Sequence, residues 1–357
     1  MAGHAILSPS SASRWLTCPA SVALEQGLPD TSSAYADEGT AAHFLGAYCL
    51  ENWAMPEVFI GRCIEVGETT SFFSSKDDLT EENNRLFKID QDMADYVATY
   101  VYTVNDYLGK EGTLFVEQTV PIGQFTGEAD ASGTSDAIIL RDEELIVIDL
   151  KYGRGVEVDA EDNSQLKLYA LGALDLFDLT GDIKRVRLVI SQPRVSRFES
   201  VWECSVKDLR LWAKGEVAPS ADRCWAAIKF YQANGELHEK YYNPTTDGCK
   251  WCKVKASCQA LAGFVTQTIG AEFTDLTTQD KVEQGEIVER LTKGANVDGL
   301  GAKMDAVDLI EDWCKAVRGE VEKRLLAGDA VEGYKLVQGR KGARKWSSAD
   351  EAEAVMK

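Results

Sequence analysis

Two aspartates and a lysine stand where the spacing of apolar residues changes from helical to strand-like. Asp136 lies near the start of one predicted strand, residues 134–140, while Asp149 and Lys151 end the next, residues 145–151. Because side chains alternate along a strand, Asp149 and Lys151 point to the same face. A hairpin formed across the short charged turn between the two strands would bring Asp136 close to Asp149.

Two carboxylates beside an ammonium group are the components of metal-dependent phosphodiester hydrolysis. Carboxylate oxygens are hard ligands that suit Mg²⁺ or Mn²⁺. A bound metal polarises the scissile phosphate and acidifies a water molecule. A neighbouring lysine orients that water or stabilises the developing charge. The same residues also fit a strand that simply ends in surface charges, since an Asp-x-Lys pattern is common.

Three more polar residues have a spacing that suits the same site. Gln165 and Tyr169 are four residues apart on a predicted helix, residues 164–178, and therefore share one helix face. His43 lies near the start of a predicted helix over residues 37–54, at the end of the sequence Gly-Thr-Ala-Ala-His. A lone histidine in this position is either a metal ligand or a satisfied, partly buried helix residue.

Taken in order, the patterns Gly-Thr-x-x-His, Gly-x-x-Asp, Asp-x-Lys and Gln-x-x-x-Tyr resemble the RecB-like nucleases of the PD-(D/E)XK superfamily. The resemblance implies a metal centre whose ligands are His43, Asp136, Asp149 and the backbone carbonyl of Leu150. It further implies that Asp136, Asp149 and Lys151 are catalytic, and that Gln165 and Tyr169 organise the site and contact the DNA strand. Glu117, near the end of an earlier apolar strand, is either an additional ligand or a strand-edge charge.

The cysteines form a second constellation. The triplet Cys249-x2-Cys252-x5-Cys258 offers three soft ligands for zinc or for an iron–sulfur cluster, and Cys18 is the best candidate for the fourth. One early cysteine with such a late triplet resembles the iron–sulfur nucleases of the RecB family, which include the AddB subunit and the nuclease of CRISPR adaptation. That resemblance implies a [4Fe–4S] cluster that joins both ends of the nuclease domain. A zinc site with the same ligands remains the alternative.

The elements around these motifs predict an α/β fold, a PD-(D/E)XK restriction-endonuclease-like core with a mixed sheet flanked by helices. The predicted parts are an N-terminal helical part (1–110), a catalytic sheet (111–206), a helical and Cys-rich part (207–265), and an extension (266–357). A single long helix is predicted over 82–109. The extension contains two predicted helices, 276–295 and 303–327, and a predicted hairpin, 333–346.

Composition places limits on the function. The chain has 357 residues with a net charge of −20, which disfavours non-specific binding to nucleic acid but leaves room for a local basic channel. Two basic stretches are either such a channel or solvated faces: Lys184, Arg185, Arg187, Arg194 and Arg197, and Lys335, Arg340, Lys341, Arg344 and Lys345. The sequence contains neither a signal peptide pattern nor an apolar run of the ~18 residues that span a bilayer. A cytoplasmic protein without a membrane segment is therefore expected.

The chain is also similar to an uncharacterised family of phage and prophage proteins. The segments that carry this resemblance include RWLTCPAS, DLKYGRGVEV and GYKLVQGRKGARKW. The resulting hypothesis is a metal-dependent DNA exonuclease that acts on single-stranded or resected ends in phage recombination or replication. A single-strand annealing protein is an expected partner, and a homo-oligomer is an option. The competing hypotheses are a non-catalytic DNA-binding or scaffold protein that keeps the cluster, and a zinc-stabilised assembly protein.

Overall fold

The computed structural model describes residues 5–28, 33–67, 69–73, 85–177, 183–269 and 300–337. The chain divides into two compact units. The first comprises Met1–Val254 and Ala260–Phe264, and the second comprises Lys255–Gln259 and Val265–Lys357. The predicted helix 276–295 and residues 338–346 of the predicted hairpin lie outside the described residues.

The helices and strands are numbered here in chain order. The helices are α1 (Ala12–Thr17), α2 (Pro19–Glu25), α3 (Ala34–Asn52), α4 (Gln91–Leu108), α5 (Gly123–Thr126), α6 (Ser164–Leu176), α7 (Val206–Trp212), α8 (Ala218–Asn234), α9 (Thr246–Lys250), α10 (Gln259–Ile269), α11 (Leu300–Asp305) and α12 (Val307–Leu326). The strands are β1 (Cys63–Glu65), β2 (Ser71–Phe72), β3 (Leu86–Lys88), β4 (Thr113–Pro121), β5 (Ser132–Arg141), β6 (Glu144–Leu150), β7 (Arg185–Ser191) and β8 (Ser200–Ser205).

The first unit is built on a mixed five-stranded sheet in the order β4-β5-β6-β7-β8. The strands β4, β5 and β6 form an antiparallel meander, in which Arg141 pairs with Glu144 across the predicted hairpin turn. Helix α6 then carries the chain back so that β7 runs parallel to β6, and β8 returns antiparallel. Every residue of β6 is buried, as a central strand covered on both faces requires. The predicted α/β class with a mixed sheet flanked by helices is confirmed.

The two faces of the sheet contact different helices because apolar side chains alternate along the strands. Ile138 and Val147 face a core that includes α1, α2, α6, α7 and α8. Ile139 and Ile146 face the other way, into a core with α3 and α4. The site residues that the sequence places on α3, on α6 and on the strands are therefore carried by three successive layers.

The prediction of one helix over 82–109 is wrong at its beginning. Leu86–Lys88 forms a short strand that pairs with β1, and α4 begins only at Gln91. The side chain of Asp90 accepts a hydrogen bond from the backbone N–H of Met93 at 2.8 Å and caps the helix there. Phe87 and Ile89 are apolar at a helical spacing from later residues, so the periodicity alone misassigned them.

The sequence over residues 8–24 predicts a short helix that ends near Cys18 and Pro19, and α1 does end at Thr17, just before Cys18. The backbone of Cys18 is extended, with φ −129° and ψ 96°, and Pro19 starts the next helix. A proline disfavours helical backbone in the residue before it, which explains the break. Cys18 therefore lies at a corner between α1 and α2 instead of on a helix side.

In the second unit, the predicted helix 303–327 is present as α11 and α12, which meet at Ala306. Val331 and Tyr334 form an isolated antiparallel bridge at the beginning of the predicted hairpin. None of the helices among the described residues is both long enough and apolar enough to span a membrane.

Replacing Gly172 on α6 with alanine is expected to destabilise the protein by about 1–3 kcal/mol, because α6 packs tightly on β4. A Cβ at this position would lie 2.6 Å from the carbonyl oxygen of Pro121 and 2.9 Å from Val120 Cβ. Gly263 on α10 is the matched control, since a Cβ there meets nothing within 4 Å. Thermal unfolding should show a lower Tm for Gly172→Ala only, and equal changes in both variants would contradict this packing argument.

Candidate active site

Asp136 lies where regular strand pairing is interrupted on both sides of β5. On one side, the residues before and after Asp136 pair with β4, and the unpaired position opposite Asp136 is Glu117. On the other side, the ladder ends at Ala137 and Ile148, so the continued register sets Asp149 opposite Asp136. Three carboxylates therefore lie side by side on three neighbouring strands.

Asp136 has a partner for each carboxylate oxygen. Its Oδ1 lies 3.2 Å from Nδ1 of His43, which α3 brings to the sheet, and its Oδ2 accepts the backbone N–H of Leu150 at 2.7 Å. Burial alone would raise the pKa of Asp136, but His43 and the Leu150 amide outweigh burial and hold the pKa below its usual value. Burial alone would likewise lower the pKa of His43, yet the carboxylates of Asp136 and Asp149 raise it to about 9.

Asp149 lies on β6 and Lys151 directly follows the strand, and both contact Gln165 of α6 on one side, as strand alternation predicts. The Nζ of Lys151 is 2.9 Å from Asp149 Oδ2 and donates to Gln165 Oε1 at 3.0 Å. The amide of Gln165 lies 3.2 Å both from Asp149 Oδ1 and from the hydroxyl of Tyr169. Asp149 is only 2% exposed, and burial together with Asp136 raises its pKa. The structure thus joins the predicted residues of β6 and α6 into one hydrogen-bonded chain.

The glycine of the Gly-x-x-Asp pattern makes room for this chain. A Cβ on Gly133 would lie 2.8 Å from the ring of Tyr169 and 2.7 Å from the ring of Pro9. Any side chain there would displace Tyr169 and, through it, Gln165. Pro9 of the N-terminal segment and Tyr169, which contacts Gln165, therefore both lie close to Gly133.

The sequence patterns left open whether Glu117 is a metal ligand, and they did not indicate that Tyr100 belongs to the site. Among the described residues, the potential ligand atoms of His43, Glu117 and Asp136 all lie within 4.8 Å of one another. Tyr100 of α4 is 2% exposed, and burial together with Asp136 and Glu117 raises its pKa well above the usual value. The helical spacing of apolar residues on α4 predicts only a core position for Tyr100 and carries no signal of this neighbourhood.

Gln192 fixes the loop that runs from Lys151 to α6. Its Oε1 accepts the backbone N–H of Val158 at 2.9 Å, and its Nε2 donates to the carbonyl oxygens of Gly153 and Val156 at 3.2 and 2.7 Å. The side chain is buried, so these bonds are sheltered from water. Sequence spacing gave no sign of Gln192, because it lies just after β7 and 34 residues from Val158 in the loop that it holds.

The α1–α2 corner contacts the Cys-rich segment. The backbone N–H of Asn243 lies 3.4 Å from Sγ of Cys18, and the side chain of Asn243 donates to the carbonyl oxygen of Thr17 at 3.1 Å. Arg14 pairs with Glu25 at 3.0 Å and donates to the carbonyl oxygen of Trp251 at 2.9 Å. The early and late segments of the first unit therefore meet at the predicted cysteines.

Two of the late cysteines are buried in the first unit. Cys249 is 7% exposed on α9 and Cys252 is 9% exposed just after it. Burial raises the pKa of Cys252 to about 12, and the nearby carboxylate of Glu25 and thiol of Cys249 add to the effect. Cys258 belongs to the second unit, in Lys255–Gln259, and its place in the ligand set stays a prediction.

Residues 4–357 match the model of a family described as a protein of unknown function, DUF2800. This chain belongs to the DUF2800 family. The match extends over the sheet, the Cys-rich segment and the extension alike. The family description names no activity, so the function of this DUF2800 member has to be inferred from its own site.

The first predicted basic stretch of this DUF2800 chain is largely paired with carboxylates. Arg187 lies 3.1 Å from Glu144 and 2.8 Å from Glu203. Lys184 pairs with Glu143, Arg185 lies 3.8 Å from Glu144, and Arg194 lies 3.0 Å from Glu38. Most of the second stretch lies outside the described residues. Four of the five positive charges of the first stretch therefore have a carboxylate partner on the sheet, its turns or α3.

The stability of the metal-free protein is expected to fall by about 1–3 kcal/mol as the pH rises from 6.5 to 9. Folding raises the pKa of His43 from 6.5 to about 9 because the carboxylates stabilise its charged form. The His43–Asp136 pair therefore contributes its full stability below pH 6.5 and loses it as His43 deprotonates towards pH 9. Urea unfolding in the presence of a chelator, with His43→Gln as the comparison, measures this. An equal fall in the variant would show that His43 is not its cause.

Proposed function

We propose that this protein is a metal-dependent DNA nuclease, acting as an exonuclease on DNA ends. The observation that carries the proposal is the convergence of His43, Asp136, Asp149, Lys151 and Gln165 from α3, β5, β6 and α6. From His43 to Gln165 these residues span more than 120 positions of the chain. They form two hydrogen-bonded groups on neighbouring strands, one of His43 and Asp136 and one of Asp149, Lys151 and Gln165. Carboxylates, an imidazole and an ammonium group in this arrangement suit the hydrolysis of a phosphodiester.

The donor set fits Mg²⁺ or Mn²⁺. The residues that would hold the ion are His43, Asp136, Asp149 and the backbone carbonyl of Leu150, which together offer one nitrogen and otherwise oxygen atoms. Asp149 supports this fit, because burial and the neighbouring Asp136 raise its pKa, so the metal-free site holds its negative charge unfavourably. A divalent cation would relieve that repulsion. When bound, such an ion polarises a phosphate oxygen and makes a water molecule more acidic.

Lys151 has the clearest role among the side chains. Asp149 and Gln165 hold its ammonium group at 2.9 and 3.0 Å, which leaves little freedom for it to rotate away. An ammonium group with a proton directed towards the phosphate donates to the attacking water or to a phosphate oxygen and stabilises the charge that develops there. Because its position is set before substrate binds, little reorganisation is needed during the reaction.

Gln165 and Tyr169 act as positioning residues in this proposal. Gln165 accepts from Lys151 and donates towards Asp149, so one side chain sets the distance between the lysine and the carboxylate. The hydroxyl of Tyr169 lies 3.2 Å from the Gln165 amide and fixes its orientation. The ring of Tyr169 fits in its position because Gly133 has no side chain.

The proposed structural cofactor is a [4Fe–4S] cluster held by Cys18, Cys249, Cys252 and Cys258, with zinc as the alternative. The buried thiols of Cys249 and Cys252 and the amide that points to Cys18 Sγ support a soft-metal site. The proposed setting is phage recombination or replication in the bacterial cytoplasm. A single-strand annealing protein is the proposed partner, and a homo-oligomer is the proposed assembly. These partners rest on the resemblance of the sequence to phage proteins.

The experiment compares linear and circular single-stranded DNA, linear duplex DNA and RNA, with Mn²⁺ or Mg²⁺ and anaerobically purified protein. An exonuclease releases acid-soluble nucleotides from linear DNA and leaves the closed circle intact. Cleavage of the circle would indicate an endonuclease instead. Tight DNA binding without nucleotide release from any substrate would favour the non-catalytic DNA-binding or scaffold hypothesis.

A further inference from the structure

Glu117 lies in the candidate site although it is not part of the Asp-x-Lys pattern. It occupies the β4 position opposite Asp136, where regular pairing between β4 and β5 is interrupted. One oxygen of Glu117, one of Asp136 and one ring nitrogen of His43 fall within 4.8 Å of one another. The three residues come from a strand, a neighbouring strand and a helix, so the fold converges on this point from three elements.

The backbone of Glu117 adopts a conformation that is unfavourable for glutamate. Its φ is +46°, in the left-handed region, which costs roughly 1–2 kcal/mol for an L-residue with a side chain. Its carboxylate also faces Asp136, and like charges directly opposite each other destabilise a strand pair. In the metal-free protein this residue is therefore held in place at a cost to stability.

We propose that Glu117 is a metal-binding residue, and that it holds a divalent cation together with His43 and Asp136. A cation between these groups reverses the repulsion between Glu117 and Asp136 and explains why a carboxylate is kept in this conformation. One nitrogen and two carboxylate oxygens suit Mn²⁺ and Mg²⁺. The inference deepens the proposed nuclease function, but metal binding itself can be measured without DNA.

The test is calorimetric titration of Mn²⁺ into the full-length protein without DNA, comparing wild type with Glu117→Gln. We expect Glu117→Gln to bind Mn²⁺ roughly tenfold more weakly or worse, since even the loss of an outer-sphere partner costs ~10–100-fold. Glu111→Gln, which removes an exposed carboxylate just before β4, should bind as wild type does. Equal affinity of wild type and Glu117→Gln would overturn the proposal, whether or not the protein cleaves DNA.

Two further variants separate a ligand from a residue that only supports the fold. Glu117→His replaces an oxygen donor with a nitrogen donor and should shift the preference from Mn²⁺ towards Co²⁺ and Zn²⁺. Glu117→Gly removes the carboxylate where the backbone favours glycine, so the metal-free Tm should be equal to or above that of wild type. The same variant should lose most of the Tm increase that Mn²⁺ produces in wild type. An unchanged metal preference in Glu117→His, or a full Mn²⁺-induced Tm increase in Glu117→Gly, would show that Glu117 is not a ligand.

Discussion

Lys151→Ala is expected to lower the rate of nucleotide release from linear DNA by about 10²–10⁴-fold, the usual loss for a positioned group that acts on the reacting atoms. Lys151 is the ammonium group held between Asp149 and Gln165, so its removal takes away a fixed charge beside the proposed phosphate position. The Mn²⁺ affinity should change much less, because ammonium is not a metal ligand. The effect should therefore appear in kcat measured at saturating metal.

The control for Lys151→Ala is Lys207→Ala, which removes an exposed lysine on α7. Its rate should equal that of wild type. Lys151→Arg keeps the charge but replaces a compact donor with a planar one, so it should recover only a small part of the rate. The Tm of each variant shows whether the loss of rate comes from unfolding. A folded Lys151→Ala variant within tenfold of the wild-type rate would remove Lys151 from the catalytic assignment.

Cys18→Ser is expected to remove the visible absorbance of an iron–sulfur cluster from anaerobically purified protein and to lower its Tm by roughly 10 °C or more. Cys18 and Cys249 enclose about 230 residues, and cross-linking a loop of this length stabilises a fold by ~5 kcal/mol on the chain-entropy estimate. A change of this size corresponds to ~2–4 °C for each kcal/mol in a domain of this length. Metal–thiolate bonds that form only in the folded protein add to the loss.

The loss of the proposed cross-link should also affect the candidate site. Pro9, just before α1, and the ring of Tyr169 both lie close to Gly133, so movement of the N-terminal segment should disturb Tyr169, whose hydroxyl contacts Gln165. Nucleotide release by Cys18→Ser should therefore fall even at temperatures where the protein is folded. Cys63→Ser, which changes a partly exposed cysteine on β1, is the matched control and should retain absorbance, Tm and rate.

Metal analysis of the wild-type protein distinguishes the two forms of this site. Iron and acid-labile sulfide indicate the cluster, whereas one zinc per chain without visible absorbance indicates the zinc alternative. In either case Cys18→Ser should lose the metal. A wild-type protein that contains neither metal after anaerobic purification, with a Tm that Cys18→Ser leaves unchanged, would contradict a metal site at these cysteines.

Much of the candidate site was predictable because its signals are local. Alternation of side chains along β6 is enough to set Asp149 and Lys151 on one face, and a four-residue spacing is enough to align Gln165 with Tyr169 on α6. The hairpin between β5 and β6 follows from a short polar turn between two apolar runs. His43 joined them only through the resemblance to a nuclease family, because no local rule connects α3 with the sheet.

The prediction failed where local patterns compete. The apolar residues Phe87 and Ile89 continue the stripe of α4 in sequence, but pairing with β1 and the Asp90 cap make this segment extended instead. The break at Cys18 has a local cause in Pro19, and it determines that the cysteine lies at a corner facing the Cys-rich segment.

What the sequence by itself determined was therefore the identity of the chemical groups, the strands and helices that carry most of them, and the side of each element on which they lie. Only the tertiary structure decided that Glu117 faces Asp136 in a left-handed backbone conformation, that Tyr100 lies buried beside the carboxylates, and that Gln192 holds the loop after Lys151. These features depend on strand register and on contacts between residues far apart in the chain. Spacing along one element carries no information about such contacts, because they arise when separate elements pack together.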